Sequence, residues 1–230
     1  MPRRTRNVKK TDQNKAWNKK RTVTKYKVET KDLPKTILIV CEGQTEKLYF
    51  ESFPVLTLTV EAIDLGGQAT LKMIESTTEI IKNSQKEYDE VWCVFDMDVN
   101  KGAKEFADFD NAIEKAKIQT PAYKVAYSND AFELWFYLHY EYTDQQNLRQ
   151  FYYDALSKFW NINYVKDGKK YAFCLEIYSL LEKDQNASQE EAIKRAEKLY
   201  KKQEHLVYHK QNPVTLVYKL VNFLNDNSRR

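Results

Sequence analysis

The sequence predicts an α/β fold: a mostly parallel sheet flanked by helices, with a helical C-terminal part. Three observations predict it. Between residues 36 and 130, four short apolar segments alternate with segments of helical apolar spacing. Beyond residue 130 only the helical spacing persists. Five Gly and five Pro in 230 residues are too few for an all-β chain of many tight turns.

The elements follow in order. TILIVC (36–41) is continuously apolar and β-branched, as expected of a strand buried on both faces. EGQTEKLYFESF then carries Leu48, Tyr49 and Phe53 on one helical face. LTVEAIDL (58–65) is a second strand, ended by Gly66 and Gly67. Over 68–88, Leu71, Ile74, Ile80 and Ile81 recur at helical spacing. EVWCVFD (90–96) is a third strand, 103–118 a helix through Phe106, Phe109, Ile113 and Ala116, and AYKVAYS (122–128) a fourth strand. This pitch implies βαβ units with right-handed crossovers. FELWFYLHY and then 144–160, 171–183, 188–206 and 213–225 read as helices. Asn212 as N-cap and Pro213 at the first helical position suit the start of the last one. The expected organisation is a basic arm (1–35), an α/β core (36–130) and a helical region (131–230) packed on it.

Composition excludes several classes. A 42% hydrophobic and 13% aromatic chain supplies a real core, which excludes global disorder. No run of eighteen apolar residues is present, so no membrane-spanning segment and a cytoplasmic location are expected. The basic N-terminus lacks the apolar region of a secretory signal. Cys41, Cys93 and Cys174 form no CxxC pair, so neither a disulfide framework nor a zinc site is expected.

The net charge of +4 is unevenly distributed. Residues 1–35 hold thirteen Lys/Arg and three acids, leaving 24 basic and 30 acidic residues in the body. Arg3, Arg4, Arg6, Lys19, Lys20 and Arg21, with Trp17 and Tyr26 interleaved, suit a phosphate backbone with exposed bases. The plainer reading is a solvated tail.

In open α/β sheets, ligands gather at the C-terminal strand ends. The first strand ends at Glu42, with Glu46 in the following helical turn; the third ends in Asp96-Met97-Asp98. Alternate residues of a strand point the same way, so Asp96 and Asp98 can share a hard cation. Crowded carboxylates hold protons unless a cation neutralises them. Each acid also has a local role open to it: Glu46 at a helix N-terminus, Asp96 and Asp98 as loop caps.

CEGQTEKLYF (41–50) followed by VFDMD (94–98) resembles the Toprim domain of topoisomerases, primases and defence nucleases. The closer resemblance is to the RloB family, through Cys41 to Phe50, Asp96 to Asp98, Ser128 to His139 and Asn212 to Thr215, in that order. It covers nearly all of the chain after residue 35. The resemblance implies a compact Toprim-like, Rossmann-like sheet and an Mg²⁺- or Mn²⁺-dependent nuclease of phage-defence and abortive-infection loci. An AAA-type ATPase partner is implied with it. Carried over by position, Glu42 is a metal ligand or general acid/base, Asp96 and Asp98 are metal ligands, and Glu46 is a second-acid ligand. Asn100 stands where some Toprim proteins carry a further acid.

In SNDAFELWFYLH, Asp130 and Glu133 have capping-box spacing. Ser128, Asn129 and Glu133 either begin a buried helix or support the metal site; Trp135 and His139 read as core. His205 and His209 have zinc-pair spacing but lack the glutamate of HExxH. No Gly-rich phosphate loop is present, so any ATPase is a partner.

Three functions compete: a metal-dependent endonuclease acting on RNA (including tRNA) or DNA, a non-catalytic nucleic-acid-binding or regulatory subunit of a defence complex, and another phosphoryl-transfer Toprim enzyme. The aromatic content of the helical half suits a homodimer or an ATPase interface.

Overall fold

The computed structural model describes residues 35–56, 58–67, 70–97 and 103–228. The arm cations Arg3, Arg4, Arg6, Lys19, Lys20 and Arg21 lie outside the described residues, as do Asp98 and Asn100.

All four expected strands form: β1 (Lys35–Cys41), β2 (Leu58–Asp64), β3 (Glu90–Met97) and β4 (Lys124–Asn129). Helices α1 (Gln44–Glu51), α2 (Thr70–Asn83) and α3 (Ala103–Lys117) alternate with them. These four strands are parallel, and the sheet order is β2-β1-β3-β4 with a short fifth strand, β5 (Val214–Thr215), beside β4. Because β1 sits between β2 and β3, successive connections leave it in opposite directions. The strand order therefore reverses at the C-terminal ends of β1 and β3, where a crevice opens.

Ile37 to Cys41 and Val91 to Phe95 are buried, as their unbroken apolar runs require of strands covered on both faces. The buried free thiols of Cys41 and Cys93 fill space there; burial raises both thiol pKa values, which suits a packing role.

The remainder is helical: α4 (Glu133–Leu138), α5 (Arg149–Phe159), α6 (Tyr164–Asp167), α7 (Tyr171–Lys183), α8 (Gln189–Gln203) and α9 (Val217–Asp226). Tyr49 of α1 meets Phe132 and Phe136 edge-to-face, and Tyr49 and Phe53, the latter just beyond α1, meet Tyr178 of α7 at a tilt, tying the helices to the sheet. Trp135 is fully buried, with its indole N–H donating to the Tyr49 hydroxyl at 2.9 Å. His139 is equally a core residue: Nδ1 lies 2.9 Å from the Trp135 carbonyl, and burial lowers its pKa to about 4. Among the described residues no helix is long and apolar enough to cross a membrane.

Two local expectations are corrected. Asn212-Pro213 does not begin a helix. The β-branched Val214 and Thr215 instead pair antiparallel with Asn129 and Ser128, and α9 starts only after Leu216. Edge pairing, with the Ser128 and Thr215 hydroxyls 2.9 Å apart, overrides the local helix signal. Nor do Asp130 and Glu133 form a capping box. The residue before α4 is Phe132, with no side-chain cap, and Asp130 accepts from the Arg149 backbone N–H at 2.8 Å.

Gly168 ends α6 against the ring of Tyr164, which is fully buried. A Cβ on Gly168 would collide with that ring. Gly168→Ala is therefore expected to cost about 1–3 kcal/mol by overpacking, read as a lower urea midpoint at unchanged m-value.

Candidate functional site

Glu42 directly follows β1. Its amide still bonds to the Val94 carbonyl of β3 at 2.9 Å, which carries the residue to the crevice. Its Oε2 accepts the backbone N–H of Asp96 at 3.1 Å, bridging the ends of β1 and β3. Glu46 stands in the first turn of α1 and is buried. A Cβ at Gly43 would lie 3.0 Å from Glu46 Oε2, so the absent side chain leaves room for the carboxylate beside the loop.

Asp96 accepts the Phe132 backbone N–H at 2.9 Å through Oδ2; its buried Oδ1 has no hydrogen-bond partner. Glu133 of α4 is 1% exposed. Its Oε1 accepts the Tyr164 hydroxyl at 2.9 Å and pairs with the Lys169 ammonium, while its buried Oε2 has no partner. Lys169 is held by its neighbours: its carbonyl accepts the Gln44 side-chain amide at 3.1 Å, and the Cys174 thiol reaches the Gly168 carbonyl at 3.5 Å.

Glu42, Glu46, Asp64, Asp96 and Lys169 line one open cavity of about 430 Å³, with the turn at Gly66 and Gly67 on its rim. The Gly67 amide donates to the Glu42 carbonyl at 2.8 Å, and Asp64, at the end of β2, accepts the Gly66 amide at 2.6 Å.

The electrostatics follow from crowding. Burial, with Glu133 and Glu42 adding to it, pushes Glu46 up to about 7 despite the opposing Lys169 ammonium. Burial, then Glu46, Glu42 and Glu133, drive Asp96 well above the usual carboxylate range. Burial also acts upward on Glu133, but Lys169, its own helix amide and Tyr164 outweigh it and hold the carboxyl low. The same pair raises the Lys169 pKa against its burial.

The crevice thus brings together Glu42, Glu46, Asp96 and Glu133. Ser128 and Asn129 take no hydrogen bond with them: Ser128 binds Thr215, and the Asn129 side-chain amide donates to the His209 carbonyl at 3.2 Å. Lys47 pairs with Glu51 at 3.6 Å. His209 bonds Asp110 at 2.6 Å and stacks on Phe106. Among the described residues, no three His, Cys, Asp or Glu side chains are gathered closely enough to hold a cation by themselves.

This arrangement stands on a chain whose residues 37–224 match the family model of the RloB-like proteins. The chain belongs to the RloB-like family. Neither the curated proteins nor the solved structures contain a match.

Two further residues of the crevice, Asp64 and Lys169, differ in what the sequence shows of them. Asp64 ends its strand as Glu42 and Asp96 end theirs, so the strand-end argument applies to it equally. Lys169 is one cation in a run of basic residues between two helices, and nothing in its spacing separates it from Lys166 or Lys170.

The raised Glu46 pKa has a signed consequence. The folded state binds its proton more tightly than the unfolded state. The contribution to stability is full below the unfolded pKa and is lost as pH rises towards 7. In EDTA, wild type is expected to lose melting temperature between about pH 4.5 and 7 relative to Glu46→Gln. Parallel pH profiles of the two proteins would contradict this.

Proposed function

We propose that the protein is a metal-dependent nuclease that cleaves phosphodiesters through a Toprim-type centre and acts in anti-phage defence. The observation that carries this reading is the contact of Glu42 with the Asp96 amide at the strand-order reversal, among carboxylates whose pKa values are raised.

The residues present fit a hard divalent cation. The donor set is all oxygen, and Asp96 Oδ1 and Glu133 Oε2 are buried without partners. Glu42, Glu46 and Asp96, not gathered closely enough to hold a cation by themselves, would hold Mg²⁺ or Mn²⁺ once drawn together around the ion, with Asp98 as a further ligand. A cation there supplies Lewis acidity and lowers the pKa of water. Glu46, partly protonated near neutral pH without metal, gives up its proton on ligating it. Asp96 keeps its orientation through the Phe132 N–H, and Glu42 through the Asp96 N–H. Lys169 offers the positive charge in this cavity that faces a phosphodiester's anionic oxygens, and Glu133 positions its ammonium.

The substrate under this reading is RNA, including tRNA, or DNA, drawn in by the basic arm. An AAA-type ATPase supplies nucleotide hydrolysis, since the chain has no phosphate loop of its own.

The test is cleavage of tRNA, single-stranded DNA and plasmid by wild type, Asp96→Asn and Lys169→Ala, in Mg²⁺, Mn²⁺ or EDTA. Both variants are expected to lose at least about a hundredfold in rate while keeping nucleic-acid binding. Cleavage that persists in EDTA, or equal rates in Asp96→Asn and wild type, would sink the reading.

A further inference from the structure

A second cavity, of about 410 Å³, opens on the described part of the fold away from the acids. It lies towards the N-terminal ends of β3 and β4, between α3, α8 and α9. Trp92 in its wall precedes Asp96 by four residues on β3, roughly 13 Å along the strand. Its volume is ordinary for a small-ligand site.

Its lining pairs aromatic rings with ammonium groups. Lys219 stands 4.3 Å from the Tyr200 ring centre, Lys117 4.7 Å from that of Tyr208, and Lys124 5.3 Å from that of Trp92. Two of the three lysines are neutralised: Lys117 by Glu114 at 3.0 Å and Lys124 by Glu90 at 2.9 Å. Lys219 is not. It is half-buried on α9, and among the described residues it has no ion pair or side-chain hydrogen bond. Burial lowers its pKa, and the attraction of Glu204 does not restore it. Tyr200 is also half-buried, and its hydroxyl has no hydrogen-bond partner among the described residues.

A half-buried ammonium with a carboxylate, Glu204, near it but none in ion-pair contact is incompletely compensated for the water it has lost. An anion at Lys219 would complete that compensation. The rings beside it favour a flat π-system, and Glu204 on the same wall offers an acceptor for a hydroxyl or amino group. Phosphate, sugar hydroxyl and base together match these three features.

We propose that this cavity binds a nucleotide unit, with its phosphate on Lys219 and its base against the aromatic rings of the wall, Tyr200 among them. The unit is either a free nucleotide or one residue of a single strand. The site is separate from the acidic crevice and requires no metal.

Calorimetric titration of the full chain in EDTA tests it, with adenosine monophosphate, inorganic phosphate and a short single-stranded oligonucleotide as probes. EDTA removes the proposed cleavage from the measurement, so loss of the nuclease reading leaves this one standing, and the reverse. Saturable binding of the mononucleotide, but not of phosphate at the same concentrations, is expected if the free nucleotide is the ligand. Oligonucleotide binding that weakens with the Lys219 variant is expected if the strand is. Lys219→Met, which keeps the apolar stem, should weaken the relevant probe by about tenfold, as should Tyr200→Leu, whereas Tyr200→Phe and the exposed Lys72→Met should stay within about twofold of wild type. Unchanged melting temperatures confirm that these variants fold. Absence of saturable binding of both nucleotide probes to wild type, phosphate binding as tight as that of the mononucleotide, or a Lys219→Met affinity equal to wild type overturns the proposal.

Discussion

Carboxylates crowded away from water at one end of a parallel sheet are the constraint around which the rest of this structure is arranged. Two like charges 4 Å apart repel by about 4 kcal/mol in protein surroundings. The chain meets that repulsion in three ways. Backbone amides reach two of the carboxylates, the Asp96 N–H to Glu42 and the Phe132 N–H to Asp96. Proton affinity rises at Glu46, to a pKa of about 7, and at Asp96, so that less negative charge gathers there. Lys169 enters from the helical half and holds Glu133 ionised.

The helical half therefore completes the site as well as covering the sheet. Tyr164, at the start of α6, fixes Glu133 through its hydroxyl, and Gly168 leaves space for the Tyr164 ring. Gln44 of α1 holds the Lys169 carbonyl, so the first helix after β1 grips the segment that delivers the cation. Around these contacts the ring cluster of Tyr49, Phe53, Phe132, Phe136 and Tyr178 joins α1, α4 and α7. Displacing one ring in that cluster would shift the carboxylates on two helices, because close-packed interiors transmit strain.

The two ends of the sheet differ in chemistry. The C-terminal ends of β1 and β3 carry acids, with Lys169 the lysine that joins them among the described residues. The opposite end of β3 and β4 carries lysines over aromatic rings, with Glu114 and Glu90 paired to Lys117 and Lys124. A chain with this polarity presents oxygen ligands at one edge and cation-rich ring faces at the other.

Much of the architecture was legible locally. TILIVC and EVWCVFD announce buried parallel strands because an unbroken β-branched run has no solvent face. The acids at their ends, Glu42 and Asp96, follow from that reading and the habit of open sheets to bind at strand ends. Where the signal failed, a distant partner had overridden it. Asn212-Pro213 has the residues of a helix start, yet Val214 and Thr215 pair with Asn129 and Ser128, more than eighty residues earlier. Asp130 has the spacing of a cap and instead receives the Arg149 amide.

The sequence by itself determined the order along the chain of the four parallel strands, their βαβ alternation and the presence of strand-end acids, since each depends on neighbours within a few residues. Only the tertiary structure decided the strand order β2-β1-β3-β4-β5, which puts the ends of β1 and β3 side by side. It alone brought Lys169 to Glu133 and left Lys219 without an ion-pair contact, among the described residues, in its ring-lined cavity. Those outcomes depend on which surfaces meet after the chain crosses over, and burial and Coulomb energy at such meetings carry no period that a local pattern displays.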